Sequence, residues 1–296
     1  MNNAHETVLR TIIWFDIFDI APTAMEIFEW QMKPGEVISY TEIIKSLTEL
    51  IAQKKIINKN NHFCIKERGE SLFKIRQQNY ISSHRKQSKV KQLINYLSLF
   101  SFVKSVNFCN TRLPFLASSD SSDIDLLITA SANKLWTVRF FTILPLKILR
   151  RRPGEIKKDA VDASFFFYHY NFDISKISLE SPEYMAFWLL SLENVSGSMP
   201  SIKNKEFANN IFPNKSSNIR PRSKKIKEPF VKIYLPFTEN LLKKIQISIL
   251  PAEIKSNIDG QSIAITENYL KFHTTDRAQL YCRNFYDLCQ RYKITA

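Results

Sequence analysis

Ser122, Asp123, Ile124 and Asp125 have the types and spacing for chemistry, and they run directly into the apolar stretch Leu126-Leu127-Ile128. On an extended backbone, residues two apart point to the same side. Asp123 and Asp125 therefore project together, with Ile124 and Leu126 alternating around them. Two adjacent carboxylates repel and dehydrate each other, which is costly unless they share a cation. Hard oxygen donors suit Mg²⁺ or Mn²⁺. Such a pair can hold two ions that clamp the attacking and leaving oxygens of a phosphoryl transfer. The competing reading is an exposed turn, because SSDSSDID is turn-like in composition. Against it stands the apolar strand that starts immediately after Ile124.

Other common chemistries find little here. The chain has 296 residues and only 5 glycines, which are scattered. The phosphate-cradling loops GxGxxG and GxxxxGKS need clustered glycines, so neither a Rossmann dinucleotide site nor a P-loop is expected. Cys64, Cys109, Cys282 and Cys289 form no CxxC or CxxH pair. That spacing argues against structural zinc and for reduced thiols in a reducing compartment. His169 lies among Phe and Tyr, and His273 lies in FHTTDR. Each reads as a hydrogen-bonded structural histidine, and no Ser-His-Asp or Cys-His arrangement follows from spacing alone. Phe165 to Tyr168 is apolar on both faces, as in a strand buried between helices. Stacking aromatics would need exposure.

The elements that must position the aspartates can be read from periodicity. FVKSVNFCN, from Phe102, alternates like a strand; SDIDLLITA (122–130) is a second; DAVDASFFFYHY (159–170) is a third. A helix from Ala132 to about Arg151 joins the last two. Strand, strand, helix, strand is an α/β pattern. Ahead of it, residues 7–20 are apolar at helical spacing and stop at Pro22. Thr23 with Glu26 forms a capping box for a short helix to Trp30. Residues 41–53 form an amphipathic helix with a Thr cap. Lys54 to Asn58 and His62 to Lys66 read as two strands around a polar tip. Three helices and a hairpin is the winged-helix order, which serves either DNA binding or mere packing and dimerisation. Glu70 to Phe100 is a long helix carrying Arg76, His84, Arg85, Lys86, Lys89 and Lys91, read as a solvated basic face with phosphate contact as the alternative. Pro182 to Leu192 is helical, 213–229 is a basic loop or linker rich in Lys, Arg, Ser and Pro, and 230–292 reads as mostly helical with a break at Pro251.

Size and charge bound the rest. Two domains are expected at this length. With 22 Phe and 11 Tyr, the chain can build a core. Lys plus Arg number 42 against 28 Asp plus Glu, a net charge of +14. Such an excess favours polyanionic partners: nucleotides, nucleic acid or acidic lipid. Glu6, Asp16 and Asp19 rule out a signal peptide at the N-terminus. Leu135 to Leu149, the most apolar segment elsewhere, is interrupted by Arg139, Pro145 and Lys147, whereas a span needs about 20 apolar residues. The expectation is a soluble cytoplasmic protein.

A strand, a turn, a spacer and then SDIDLL resembles the minimal nucleotidyltransferase fold, the polymerase β-like superfamily. In that superfamily a Gly-Ser or Gly-Gly pair after the first strand holds the triphosphate, DxD on the second strand binds the metals, and a third carboxylate sits on a later strand. The chain is also similar, over nearly its full length, to a group of bacterial proteins with a helical region before the transferase domain. The matching pieces are FDIFDIAPTAMEI (15–27), HFCIKERGESLFKIRQQNYISSHRK (62–86), FVKSVNFCNTRLPFLASSDSSDIDLLI (102–128), LWTVRFF (135–141), NNIFPN (209–214) and KFHTTDR (271–277). Asn110-Thr111 stands where the Gly-Ser pair would, and eleven residues (112–122) separate it from Asp123. Thr111 keeps a hydroxyl for a phosphate. Asn110 replaces a residue without a side chain, although Asn tolerates left-handed dihedrals.

The resemblance implies an α+β chain: a small mixed sheet flanked by helices, an N-terminal winged-helix-like unit and a helical C-terminal region. The expected divisions are 1–68, a connecting helix 69–100, a transferase core 101–180, and 181–296. Asp123, Asp125 and Asp162 are the implied metal ligands and catalytic groups, with Mg²⁺ or Mn²⁺ as cofactor. Asp159 lies three residues from Asp162, so a regular strand turns it to the other face. Asn110, Thr111, Ser122 and Lys158 are the implied nucleotide contacts; Lys157 and Arg139 are open between phosphate contact and solvent exposure. The implied function is nucleotidyl transfer from a nucleoside triphosphate to an acceptor. Two alternatives stand beside it: a degenerate nucleotide- or RNA-binding module, and a winged-helix DNA-binding regulator.

Overall fold

The computed structural model describes residues 3–32, 37–109, 121–170, 172–176, 181–198, 200–215, 239–258, 263–272 and 278–295. The first helix, α1 (Asn3–Asp16), is mostly apolar after Thr7 and buried on every side from there onward, Arg10 and Asp16 included. A helix of that kind belongs in the middle of a core. Helix α2 (Ala24–Glu29) starts at the expected Thr23–Glu26 capping box. Helix α3 (Tyr40–Ala52) does too, but its cap is Ser39 with Glu42, not Thr41. The hairpin β1 (Ile56–Lys59) and β2 (His62–Ile65) follows, and Asn60 and Asn61 make its tip at positive φ, the conformation Asn tolerates best among side-chain-bearing residues. Helix α4 (Ser71–Leu97) then leads to the main sheet.

That sheet begins with β3 (Val103–Phe108) and β4 (Ile124–Ala130), crosses over through α5 (Leu135–Ile148) and continues with β5 (Val161–Tyr168). Beyond it come β6 (Phe172–Asp173), α6 (Pro182–Leu190), β7 (Glu193–Gly197), β8 (Ile202–Lys203), α7 (Glu206–Ile211), α8 (Glu239–Ser248), α9 (Ala252–Ser256), β9 (Ile263–Ile265), β10 (Tyr269–Phe272) and α10 (Ala278–Tyr292). Six strands run in the order β7-β3-β4-β5-β10-β9, and only β4 and β5 are parallel neighbours. The chain is thus α+β, with a mixed sheet flanked by helices. The expectation of a helical C-terminal region needs correction: β7 and the pair β9 and β10 form both edges of the sheet. They are short: β7 and β10 pair with β3 and β5, far away in sequence, and β9 is three residues held only by β10, so local periodicity carries little of their signal. Gly197 ends β7 at φ 79°, and a Cβ there would meet the Lys104 carbonyl oxygen at 1.9 Å, so only glycine lets β7 close onto β3.

The two faces of the sheet are buried separately. Phe108, Ile124, Leu126, Ile128 and Phe166 pack with Val90, Ile94 and Leu97 of α4 and Leu135, Trp136 and Val138 of α5. Cys109, Leu127, Phe165 and Phe167 join a second core with α1, α2, α3, α6, α7 and α10. The aromatic run 165–168 therefore feeds both cores, as a strand covered on two sides should. In the second core Trp14 meets Phe285 edge-on at 5.1 Å and Phe18 stacks on Phe187 at 4.9 Å. The four cysteines are buried and none is in a disulfide. Among the described residues, no helix is long and apolar enough to cross a membrane.

Candidate active site

The parallel pairing of β4 with β5 sets the site. Asp125 and Asp162 are direct register partners on these two strands. An irregularity follows at once, and beyond it Leu127 pairs with Phe165. Asp123 lies just before β4, where the Ile124 N–H donates to the Ala160 carbonyl at 2.7 Å. From the other side, the Cys109 N–H donates to the Asp125 carbonyl at 3.1 Å. The strand ends of β3, β4 and β5 thus meet at three half-buried carboxylates. Asn110 and Thr111 lie outside the described residues; Cys109 immediately precedes them.

The electrostatics record this crowding. Burial, then the charge of Asp123, raise Asp162 to about 6, with Arg152 and the Ser164 hydroxyl opposing. Burial also raises Asp123, and Lys86 opposes it. The enclosed Cys109 thiol is held well above its ordinary value by burial and by Asp125 and Asp162, so it is inert as a nucleophile.

Helix α4 supplies what the sequence reading missed. His84 and Lys91 are exposed, but Arg76, Arg85, Lys86 and Lys89 are engaged with the rest of the chain and are not a solvated face. Lys86 is 1% exposed. Its Nζ donates to the Ser122 carbonyl and, at 2.8 Å, to Ser122 Oγ. Arg85 makes a two-pronged bridge to Asp159 at 2.9 and 3.0 Å, and Lys89 reaches the same carboxylate at 2.5 Å. Asp159 itself is buried and sits at φ 55°. Farther up, Arg76 pairs with the capping Glu26 at 2.7 Å. A sequence shows a basic residue on a helix but not the carboxylate that folds against it. The available signal was spacing: Arg85 and Lys89 are i and i+4 and so share a face.

The remaining candidates separate cleanly. Lys157 and Lys158 are exposed just before β5. Arg139 is buried, donates to Gln246 Oε1 at 2.7 Å and lies over the Phe272 ring at 4.3 Å, so it braces α5 against α8 and β10. His169 is structural, as expected: its ring nitrogens bond Thr129 Oγ1 and Ser198 Oγ, each at 2.9 Å. His273 lies outside the described residues, as does the basic loop from 216 to 229.

By donor chemistry the carboxylate set fits a hard divalent cation: oxygens alone, on adjacent strands. Among the described residues, however, no three His, Cys, Asp or Glu side chains are gathered closely enough to hold a metal ion as they stand. No family model, curated protein or solved structure matches the chain.

Proposed function

We propose that the protein transfers a nucleotidyl group from a nucleoside triphosphate to an acceptor hydroxyl or phosphate at the β3–β4–β5 end of the sheet. The observation that carries this reading is the register pairing of Asp125 with Asp162, with Asp123 flanking. Asp123, Asp125 and Asp162 would hold Mg²⁺ or Mn²⁺, which supplies charge neutralisation on the transferring phosphoryl oxygens. The chain's own groups do the rest. Asp162 completes the set and would help take the proton of the acceptor hydroxyl. Lys86 fixes Ser122 and keeps positive charge beside Asp123. Lys158 stands exposed at the entry to β5, where a phosphate could meet it. Asn110 and Thr111 would contact the β and γ phosphates by resemblance. Catalysis of this kind is mostly positioning and charge.

A degenerate nucleotide- or RNA-binding module is the second reading. It draws on Asn110 in place of glycine and on carboxylates that are not gathered into a three-ligand set. DNA binding through α3 has less behind it, since its solvent side carries Glu42 and Glu49 against Lys45 alone. Incubation with each labelled triphosphate, Mg²⁺ and a cell extract, followed by mass-spectrometric search for nucleotidylated products, tests the transfer. Products made by wild type and absent with Asp125→Asn support it. Nucleotide binding without any product favours the second reading.

A further inference from the structure

A second site lies on a different part of the molecule, where the C-terminal ends of α3 and α10 meet the turn after β2. An open pocket of about 530 Å³ is lined there by Lys54, Lys55, Lys66, Arg291 and Lys293. The one carboxylate in its wall, Glu67, already accepts the phenol proton of Tyr292, which also lines it. Five cations against one engaged carboxylate, in a concave wall, focus a strong positive potential.

Basic residues at helix C-termini are ordinary, because they complement the macrodipole. The backbone here goes beyond that. Lys54 N–H donates to the Ile51 carbonyl and Lys55 N–H to the Leu50 carbonyl; Lys293 N–H donates to Gln290 and Ile294 N–H to Cys289. Both helices thus end in the same paired-bond motif, whose left-handed position is normally glycine. Lys54 and Lys293 occupy it, at φ 58° and 55°. Among the described residues, nine other than glycine have positive φ. Six are Asn or Asp, which tolerate it. The other three, Lys54, Arg150 and Lys293, each close a helix by this motif, α5 ending in it at Arg150, and two of the three line this one pocket. Fold stability alone would favour glycine at both positions. At Lys54 and Lys293 the strained position delivers a cation into a cavity that already holds Lys55, Lys66 and Arg291.

We propose that this pocket binds a compact oligophosphate, an anion carrying several closely spaced phosphates. The volume suits a small ligand. The lining offers ammonium and guanidinium groups with a single, already bonded aromatic ring, so it recognises a phosphate chain and not a base. The chain could be free inorganic oligophosphate or the tail of a nucleotide.

The test is calorimetric titration of inorganic tripolyphosphate, beside thermal melts, on the full chain. Wild type is expected to bind, more weakly as salt rises. Lys54→Gly with Lys293→Gly is expected to bind at least tenfold more weakly while melting at the same or a higher temperature, because glycine relieves the left-handed strain. Lys54→Gln with Lys293→Gln, which keeps the strain and removes the charge, is expected to lose binding equally. Binding is expected to be as strong in EDTA as with Mg²⁺, which separates this site from the carboxylates; binding that requires Mg²⁺ would overturn the proposal. ATP displacing tripolyphosphate from this site would assign both sources to the same phosphate recognition; ATP failing to displace it would confine the site to the inorganic chain. Undiminished binding by the glycine pair would overturn the proposal. So would a lowered melting temperature with loss of binding in both lysine pairs, or tighter lysine-dependent binding of a short RNA than of tripolyphosphate.

Discussion

Replacing Asp159 by Asn should destabilise the fold by about 2–3 kcal/mol, through the clamp between α4 and the start of β5. The Asp159 side chain is fully buried, and it accepts from Arg85 twice and from Lys89 once. Removing one partner of a buried pair costs about 3–5 kcal/mol when it strands the other charge. Here the stranded side chains are 32% and 38% exposed and can regain water, which places the cost at the lower end or below it. Asn suits the site's φ of 55°, so the change reports on charge and not on backbone strain. At about 2–3 °C per kcal/mol for a chain of this size, the melting temperature should fall by about 6 °C. Lys89→Met should cost under about 1 kcal/mol, since Arg85 remains and the lost cation is partly solvated. The pH dependence adds a second readout. Burial pushes the Asp159 carboxyl up, but hydrogen bonds and charge from Arg85 and Lys89 outweigh it and hold it below the ordinary 3.8. A folded value below the unfolded one gives stability that is complete above about pH 4 and fades as pH falls through the folded value. The wild-type advantage should therefore shrink in acid. A variant melting within 1 °C of wild type at pH 7 would refute the clamp.

Three further outcomes follow from the same geometry. Lys86→Met should weaken Mg-ATP binding about tenfold by calorimetry, because Ser122 loses its donor and Asp123 its neighbouring cation. Asp162 titrates with the opposite sign to Asp159: its folded value, about 6, lies above the unfolded 3.8, so its contribution is complete in acid and is lost as pH rises through about 6. Asp162→Asn should accordingly flatten urea-unfolding stability between pH 4 and 7 and raise it at pH 7. Gly197→Ala should cost over about 2 kcal/mol in the same assay, since its Cβ would overlap the Lys104 carbonyl at a positive φ.

The parts legible in the sequence are those with a local cause. The Thr23–Glu26 capping box, the Ile- and Leu-rich run of β4 and the doubly apolar β5 each show in a window of a few residues. So did the capping box of α3, Ser39-Tyr40-Thr41-Glu42, but reading Thr41 as the cap hid it. Asp162 could be preferred over Asp159 by strand period alone, and Asp159 does turn away, to α4. What escaped were long-range pairings. Strand β10 is four residues, and it is a strand because β5 lies beside it. Lys86 looks like any helical lysine until Ser122, 36 residues later, folds onto it. Nothing local distinguishes a lysine that is 1% exposed from a solvated one.

Calorimetric titration of Mg-ATP into wild type and into Asp123→Asn with Asp125→Asn, each with its melting curve, tests the assignment of the carboxylate site most directly. Nucleotide binding at the carboxylate site should appear only when Mg²⁺ is present. The double variant should lose that binding and melt no lower than wild type, because neutralising crowded carboxylates relieves repulsion. Undiminished, Mg²⁺-dependent binding by the double variant would contradict the assignment, as would silence of wild type toward all four nucleoside triphosphates.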